Sequence, residues 1–137
     1  MTRNRTARRA RAWLLLTIAP LAGGCVLGAA AAGAGGAVYV SERGAEAVVD
    51  ASVDKTFEAA RQTFREMNID ESRTTSEENG GVTRKELSGT TAEREIEVEM
   101  ETQGAGTKVE VVASKSRVTW DKDMAKRILE RIVQLSK

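Results

Sequence analysis

Histidine is absent from the 137 residues, and cysteine occurs once, at Cys25. The first absence removes the side chain most used for proton transfer near neutral pH, which is also the commonest zinc ligand. The second excludes an intrachain disulfide, a zinc cluster and a Cys-His pair. Acidic residues are missing from the N-terminal region, where Arg3, Arg5, Arg8, Arg9 and Arg11 are the only charges ahead of Glu42. The net charge of +1 therefore conceals two regions. Without residues 1–24, sixteen basic residues face twenty acidic ones, a net of −4. Nucleic-acid binding needs clustered cations to displace counterions from phosphates, so nucleic acid is not an expected partner. A chain of this length, 41% hydrophobic and 30% charged, suits one modest domain plus a tail.

The N-terminal residues that are present follow an order. Residues 1–12 are basic and polar, "WLLLTIAPLA" from Trp13 to Ala22 is apolar, and Gly23 and Gly24 precede Cys25. A basic n-region, a short apolar run and small residues at a cut site describe a secretory signal peptide. The stretch "LAGGC" at residues 21–25 resembles the lipobox of bacterial lipoproteins, commonly Leu-Ala-Gly-Cys. Ala22 stands three positions before the cysteine, and Leu21 one further back. The resemblance implies that residues 1–24 are removed and that Cys25 is lipidated, including with palmitate-type acyl chains. A thioether to diacylglycerol consumes a thiol otherwise open to oxidation or stray pairing. Two or three acyl chains, at about 0.8 kcal/mol per buried CH₂, hold a soluble domain on a bilayer.

A membrane-spanning anchor is the rival reading. No charge lies between Ala12 and Ser41, a stretch longer than the roughly 20 apolar residues a spanning helix needs. Pro20 and the many glycines oppose a continuous helix there. In either case the arginines mark the cytoplasmic side and place the remainder outside. Arg8-Arg9 lacks the hydrophobic pattern of a twin-arginine signal and reads as an ordinary n-region. Gly28 and Gly33 have phosphate-loop spacing, but Ala34 stands where its lysine belongs. Gly24, Gly28, Ala32 and Gly36 recur every four residues, as at close helix contacts in membranes. Residues 25–44 read more simply as a tether rich in alanine and glycine.

From Ala45 the texture becomes periodic, and residues 45–137 are expected to form a small α+β domain. Ala45–Ala51 reads as a strand, followed by a helix in which Val53, Phe57, Ala60, Phe64 and Met67 share one face. Ser52 is its expected N-cap. Ser52-x-x-Lys55 also matches the serine and lysine of serine beta-lactamases, but no Ser-Asp-Asn or Lys-Thr-Gly accompanies it. Strands are expected over Ile69–Thr75 and Val82–Leu87, joined by a turn in "SEENGG" centred on Asn79-Gly80. "REIEVEMET" alternates, with Ile96, Val98 and Met100 on one face and Glu95, Glu97, Glu99 and Glu101 on the other. "GAG" turns the chain into "TKVEVVAS", with Val109, Val111 and Ala113 inward. A last helix, capped by Asp121, carries Met124, Ile128, Ile132 and Leu135. The order β-α-β-β-β-β-α gives a two-layer sandwich with both helices on one face of an antiparallel sheet.

The glutamate row of Glu95–Glu101 is the one patch with functional interest. Side chains two apart on a strand are separated by about 6.6–6.8 Å, too far for consecutive carboxylates to cage Ca²⁺. The row reads as a solvated sheet face neutralised by cross-strand Lys108, Lys85 or Arg84. Trp120, at a strand-to-helix junction, is expected to cover the edge of the core, with contact to a ligand or bilayer as the alternative.

Over nearly its whole length the chain resembles a family of small bacterial envelope lipoproteins known only as a domain of unknown function. The resemblance rests on "LAGGC", the tether ending in "AVYV", "DASVDKTFEAARQTF", the "NGG" turn and "RILERIVQL". It implies cell-envelope placement and brings no catalytic residues. In similar lipoproteins an aspartate after the cysteine retains the protein in the inner membrane. Val26 follows here, which implies the periplasmic leaflet of an outer membrane. The expectation is a non-enzymatic envelope lipoprotein, without metal or cofactor, held by lipidated Cys25 and contacting an envelope protein partner. Alternatives are a small lipid- or ligand-carrying module, which needs an apolar cavity between helices and sheet, or the same domain on an uncleaved transmembrane anchor.

Overall fold

A computed structural model of the chain describes residues 36–137. The elements are β1 (Tyr39–Val40), β2 (Gly44–Val49), α1 (Val53–Glu66), β3 (Asp70–Asn79), β4 (Val82–Thr90), β5 (Glu95–Gln103), β6 (Gly106–Ser116), β7 (Thr119–Trp120) and α2 (Lys122–Leu135). All strand pairings are antiparallel, in the order β1-β2-β6-β5-β4-β3, with β7 alongside β6. The α+β sandwich is as the sequence pattern predicts, with two short strands added. Tyr39–Val40 pairs with Glu46 and Ala45, so regular structure begins upstream of Ala45. The expected signal peptide (residues 1–24), Cys25 and most of the expected tether lie outside the described residues.

Both helices cover the same face of the sheet. α1 packs on β4 and β5, α2 on β2 and β6, and the helices touch each other. The amphipathic spacing of each helix explains this choice. Val53, Phe57, Ala60 and Phe64 of α1 and Met124, Ile128, Leu129 and Ile132 of α2 share one buried core with Leu87, Ile96, Val98, Met100, Ala45, Ala47, Val109 and Val111 of the sheet. Leu135 and Met67 are partly buried at the margin. Both expected N-caps form: Ser52 Oγ accepts from Lys55 N and Asp121 Oδ1 from Met124 N. Core hydroxyls are satisfied by backbone carbonyls, Thr63 donating to Ala59 one turn back and Thr107 to the distant Ala51. Among the described residues no buried side-chain polar atom lacks a partner.

Three local expectations are corrected. The first hairpin runs further than expected, pairing Asn79 with Val82, so its turn is Gly80-Gly81 at φ +60° and +84°. A two-residue turn that matches strand twist needs positive φ at both centres, and Gly-Gly meets that without the cost Asn79 would bear. Lys85 is not on the glutamate face. It lies opposite inward Met100, its ammonium 2.6 Å from Asp54 and over the Phe57 ring. Only the long stem lets a cation end there at the sheet margin. Trp120 does not cover the core, because pairing with Ser114 turns its side chain to the open face, where it remains 37% exposed.

Candidate functional site

The uncovered face of the sheet follows from the two-residue period of β5. Ile96, Val98 and Met100 are fully buried under the helices, so Glu95, Glu97, Glu99 and Glu101 project the other way. Register then builds a second row across the strands. Glu86 of β4 lies opposite Glu99, Glu99 opposite Glu110 of β6, and Glu110 opposite Glu46 of β2. Glu77 of β3, opposite Arg84, belongs to the same face. Directly opposed side chains have Cβ atoms about 4.5–5.5 Å apart, and like charges at that distance destabilise the sheet.

Cations from the flanking rows offset this repulsion. Arg73 reaches Glu86 at 3.1 Å, and Arg84 reaches Glu99 at 3.0 Å and also pairs with Glu101. Lys108 lies 3.4 Å from Glu46 and 4.0 Å from Glu110. Thus Arg84 and Lys108 hold the positions expected of them, although Lys108 pairs off the β5 row. Hydrogen bonding to Glu101, then the charges of Glu101 and Glu99, raise the pKa of Arg84 above its ordinary value. Glu97 forms no salt bridge among the described residues. Partial burial, then the charges of Glu86 and Glu99, push its carboxyl above the usual carboxylate range.

One end of this face is a shallow groove of about 430 Å³, lined by Arg43, Glu97, Glu110, Val112, Arg117 and Trp120. The Arg43 guanidinium sits 5.7 Å from the Trp120 ring centroid, a cation–π contact. Nearby Asp121 is held below the usual carboxylate range by the Met124 N–H, then by Arg94 at 2.7 Å. Sequence reasoning finds the along-strand row but misses the cross-strand row and the Arg43–Trp120 stack. A usable signal existed for part of it. A two-residue loop at Gly104–Ala105 sets Gln103 against Gly106, and hence Glu99 against Glu110. Glu46 joins only through the long-range β2–β6 pairing.

The chemistry available to this face is electrostatic contact. No group of three or more potential ligand side chains that could hold a metal occurs among the described residues. The sandwich interior is filled by Phe64, Leu87, Ile96, Met100 and Ile128, each 0–1% exposed. Ser52 is engaged as a helix cap, and the Lys55 ammonium donates to the Lys137 carbonyl at 2.7 Å rather than to Ser52. Cys25, the expected lipidation residue, lies outside the described residues. No helix among the described residues is long and apolar enough to cross a membrane.

Fold and face together define a small two-layer α+β domain with one sheet face acidic and, among the described residues, uncovered. The chain belongs to the family described as "Protein of unknown function (DUF3568)", whose model matches residues 10–134. That match spans the apolar run, Cys25 and all but the last three residues of the folded domain. No curated protein matches the chain.

Proposed function

We propose that the protein is a bacterial envelope lipoprotein whose domain is a non-enzymatic interaction module. Cys25 carries the lipid, residues 1–24 are removed, and the domain stands in the periplasm. Val26 after the cysteine favours the inner leaflet of an outer membrane. The observation that carries the interaction reading is the uncovered sheet face, where in-register glutamates exceed the cations set against them. Such a face suits an envelope protein partner with a basic surface, because complementary charge gives rate and specificity of association.

The competing readings meet specific obstacles. A lipid or ligand carrier needs an apolar chamber between the layers, and aromatic and aliphatic side chains fill that space. An enzyme acting without histidine would need converging carboxylates, and here Arg84 and Lys108 stand among them. The uncleaved-anchor rival differs only in how the chain is held.

Labelled-palmitate incorporation with membrane fractionation, comparing the native chain with Cys25→Ser, tests the attachment. The native chain is expected to take up label, shorten by its signal peptide and sediment with membranes. Cys25→Ser is expected to lose label and processing. Label or processing that survives the substitution unchanged rejects lipidation at Cys25.

A further inference from the structure

We propose that the α2 side of the domain rests on an anionic lipid surface, which turns the glutamate face away from the bilayer toward its partner. This rests on the anchoring reading above and adds an orientation to it.

The first observation is where the tether joins the domain. Gly36 runs against the Val48 carbonyl of β2, at a distance where no Cβ fits. Val38 packs on the core, and both residues line a groove with Lys126, Glu130, Val133 and Gln134 of α2. The chain therefore enters on the helix side of β2, beside α2. Ten residues separate Cys25 from Gly36, and a chain of that length reaches at most about 36–40 Å when fully extended. An anchor at Cys25 therefore keeps the domain close enough for its surface to touch the leaflet, where surface charge biases its orientation.

The second observation is the division of charge. α2 carries Lys122, Lys126, Arg127 and Arg131 against Asp123 and Glu130. Arg131 is engaged with Glu66 at 2.7 Å, whereas Lys126 is only loosely paired with Glu130 at 3.8 Å. Lys122 and Arg127 are exposed and form no salt bridge among the described residues. The opposite face presents Glu46, Glu77, Glu86, Glu110 and the four β5 glutamates against Arg43, Arg73, Arg84, Lys108 and Arg117, so acid still exceeds base. A negatively charged leaflet attracts the first surface and repels the second. Tether and charge select the same side.

The test places a fluorophore on Gln134→Cys in α2 or on Glu95→Cys in the sheet. The full lipid-modified chain is reconstituted on vesicles that contain a headgroup-linked quencher. With 30% phosphatidylglycerol in phosphatidylethanolamine, the Gln134 label is expected to be quenched at least about threefold more than the Glu95 label. The contrast is expected to vanish on phosphatidylcholine, in about 0.5 M salt, and in Lys122→Glu/Lys126→Glu/Arg127→Glu. Equal quenching at both sites on anionic vesicles, or stronger quenching at Glu95, overturns the orientation. Flotation is scored separately with Cys25→Ser. If Cys25→Ser floats as well as the native chain, the lipid anchor fails, and the ratio of the two labels on the floated material still upholds or overturns the orientation.

Discussion

Replacing Gly89 by alanine measures how tightly the β3–β4 edge is locked onto α1. Gly89 lies opposite Glu71, beside the register shift between Glu71 and Arg73. A Cβ placed there falls 2.6 Å from Phe64 Cε2, 2.7 Å from Ile69 Cγ2 and 2.9 Å from the Asp70 carbonyl oxygen. Favourable carbon–carbon contact lies near 3.5–4.0 Å, roughly an ångström further out. Phe64 is 1% and Ile69 5% exposed, so neither has free volume to swing into, and Asp70 belongs to the ladder with Thr90. Overpacking costs about 1–3 kcal/mol, and with three contacts to relieve we expect about 2 kcal/mol. For a domain of this size that lowers Tm by about 8–16 °C. Thermal and urea unfolding of the full chain, followed by far-UV circular dichroism, reads the change. In an Ile69→Ala background the same substitution should cost about 0.5–1 kcal/mol less, because the new methyl inherits the space of Cγ2. A Tm within about 2 °C of wild type, or strict additivity with Ile69→Ala, refutes the packing argument.

Two further substitutions test the caps, and one tests the glutamate face. Ser52→Ala is expected to cost about 1 kcal/mol in urea unfolding, with Lys55→Ala nearly silent, and equal losses would contradict the cap assignment. Asp121→Ala removes the α2 cap and the Arg94 partner and should also cost about 1 kcal/mol. The Asp121 pKa is depressed in the fold, so its contribution is present above its unfolded pKa and lost as pH falls through the folded value. The variant should therefore show a shallower acid-denaturation limb, and an unchanged limb rules this out. Glu97 is shifted the other way, so its ionisation destabilises the fold as pH rises through the ordinary carboxylate range toward its raised folded pKa. Glu97→Gln should stabilise the protein at pH 7 by about 0.5 kcal/mol or less, given its exposure, and lose that gain at pH 4. A gain that persists at pH 4 has another origin.

What could be read from the sequence was whatever local periodicity determines. The two-residue period of β5 and the three-to-four spacing of α1 and α2 specify which residues face inward, and Leu87, Ile96 and Phe64 comply. Ser52 and Asp121 announce the helix starts because capping is a contact within one turn. Lys85 was misplaced because the alternation of β4 is ambiguous, with polar residues on both of its faces near the edge of the helix layer. Trp120 was misplaced because a two-residue strand carries no period, and its direction is set by pairing with Ser114. The β2–β6 pairing that brings Glu46 beside Glu110 joins segments more than fifty residues apart. No local pattern encodes such a contact.

An ordinary solvated sheet lowers its energy by alternating charge across strands, as Glu101 and Lys108 do where β5 meets β6. The row Glu86–Glu99–Glu110–Glu46 instead sets four carboxylates against one another. Arg73, Arg84 and Lys108 reach it only from neighbouring rows. Such an arrangement does not maximise the stability of the isolated domain, and a basic partner would supply the missing cations. Glu110→Lys separates the two explanations. It converts two like-charge oppositions into opposite-charge ones, at about 0.2–1 kcal/mol per pair before screening. Allowing for exposure and for losing the 4.0 Å contact with Lys108, a net gain of about 0.5–1 kcal/mol is expected, shrinking in high salt. If the face serves a basic partner, the same variant should weaken binding of a lysine-rich peptide. In an NMR titration of the full chain that peptide should shift β5 and β6 amides of the native protein and shift those of Glu110→Lys less. A variant that is no more stable, or that binds the peptide equally well, refutes the trade between stability and recognition at this face.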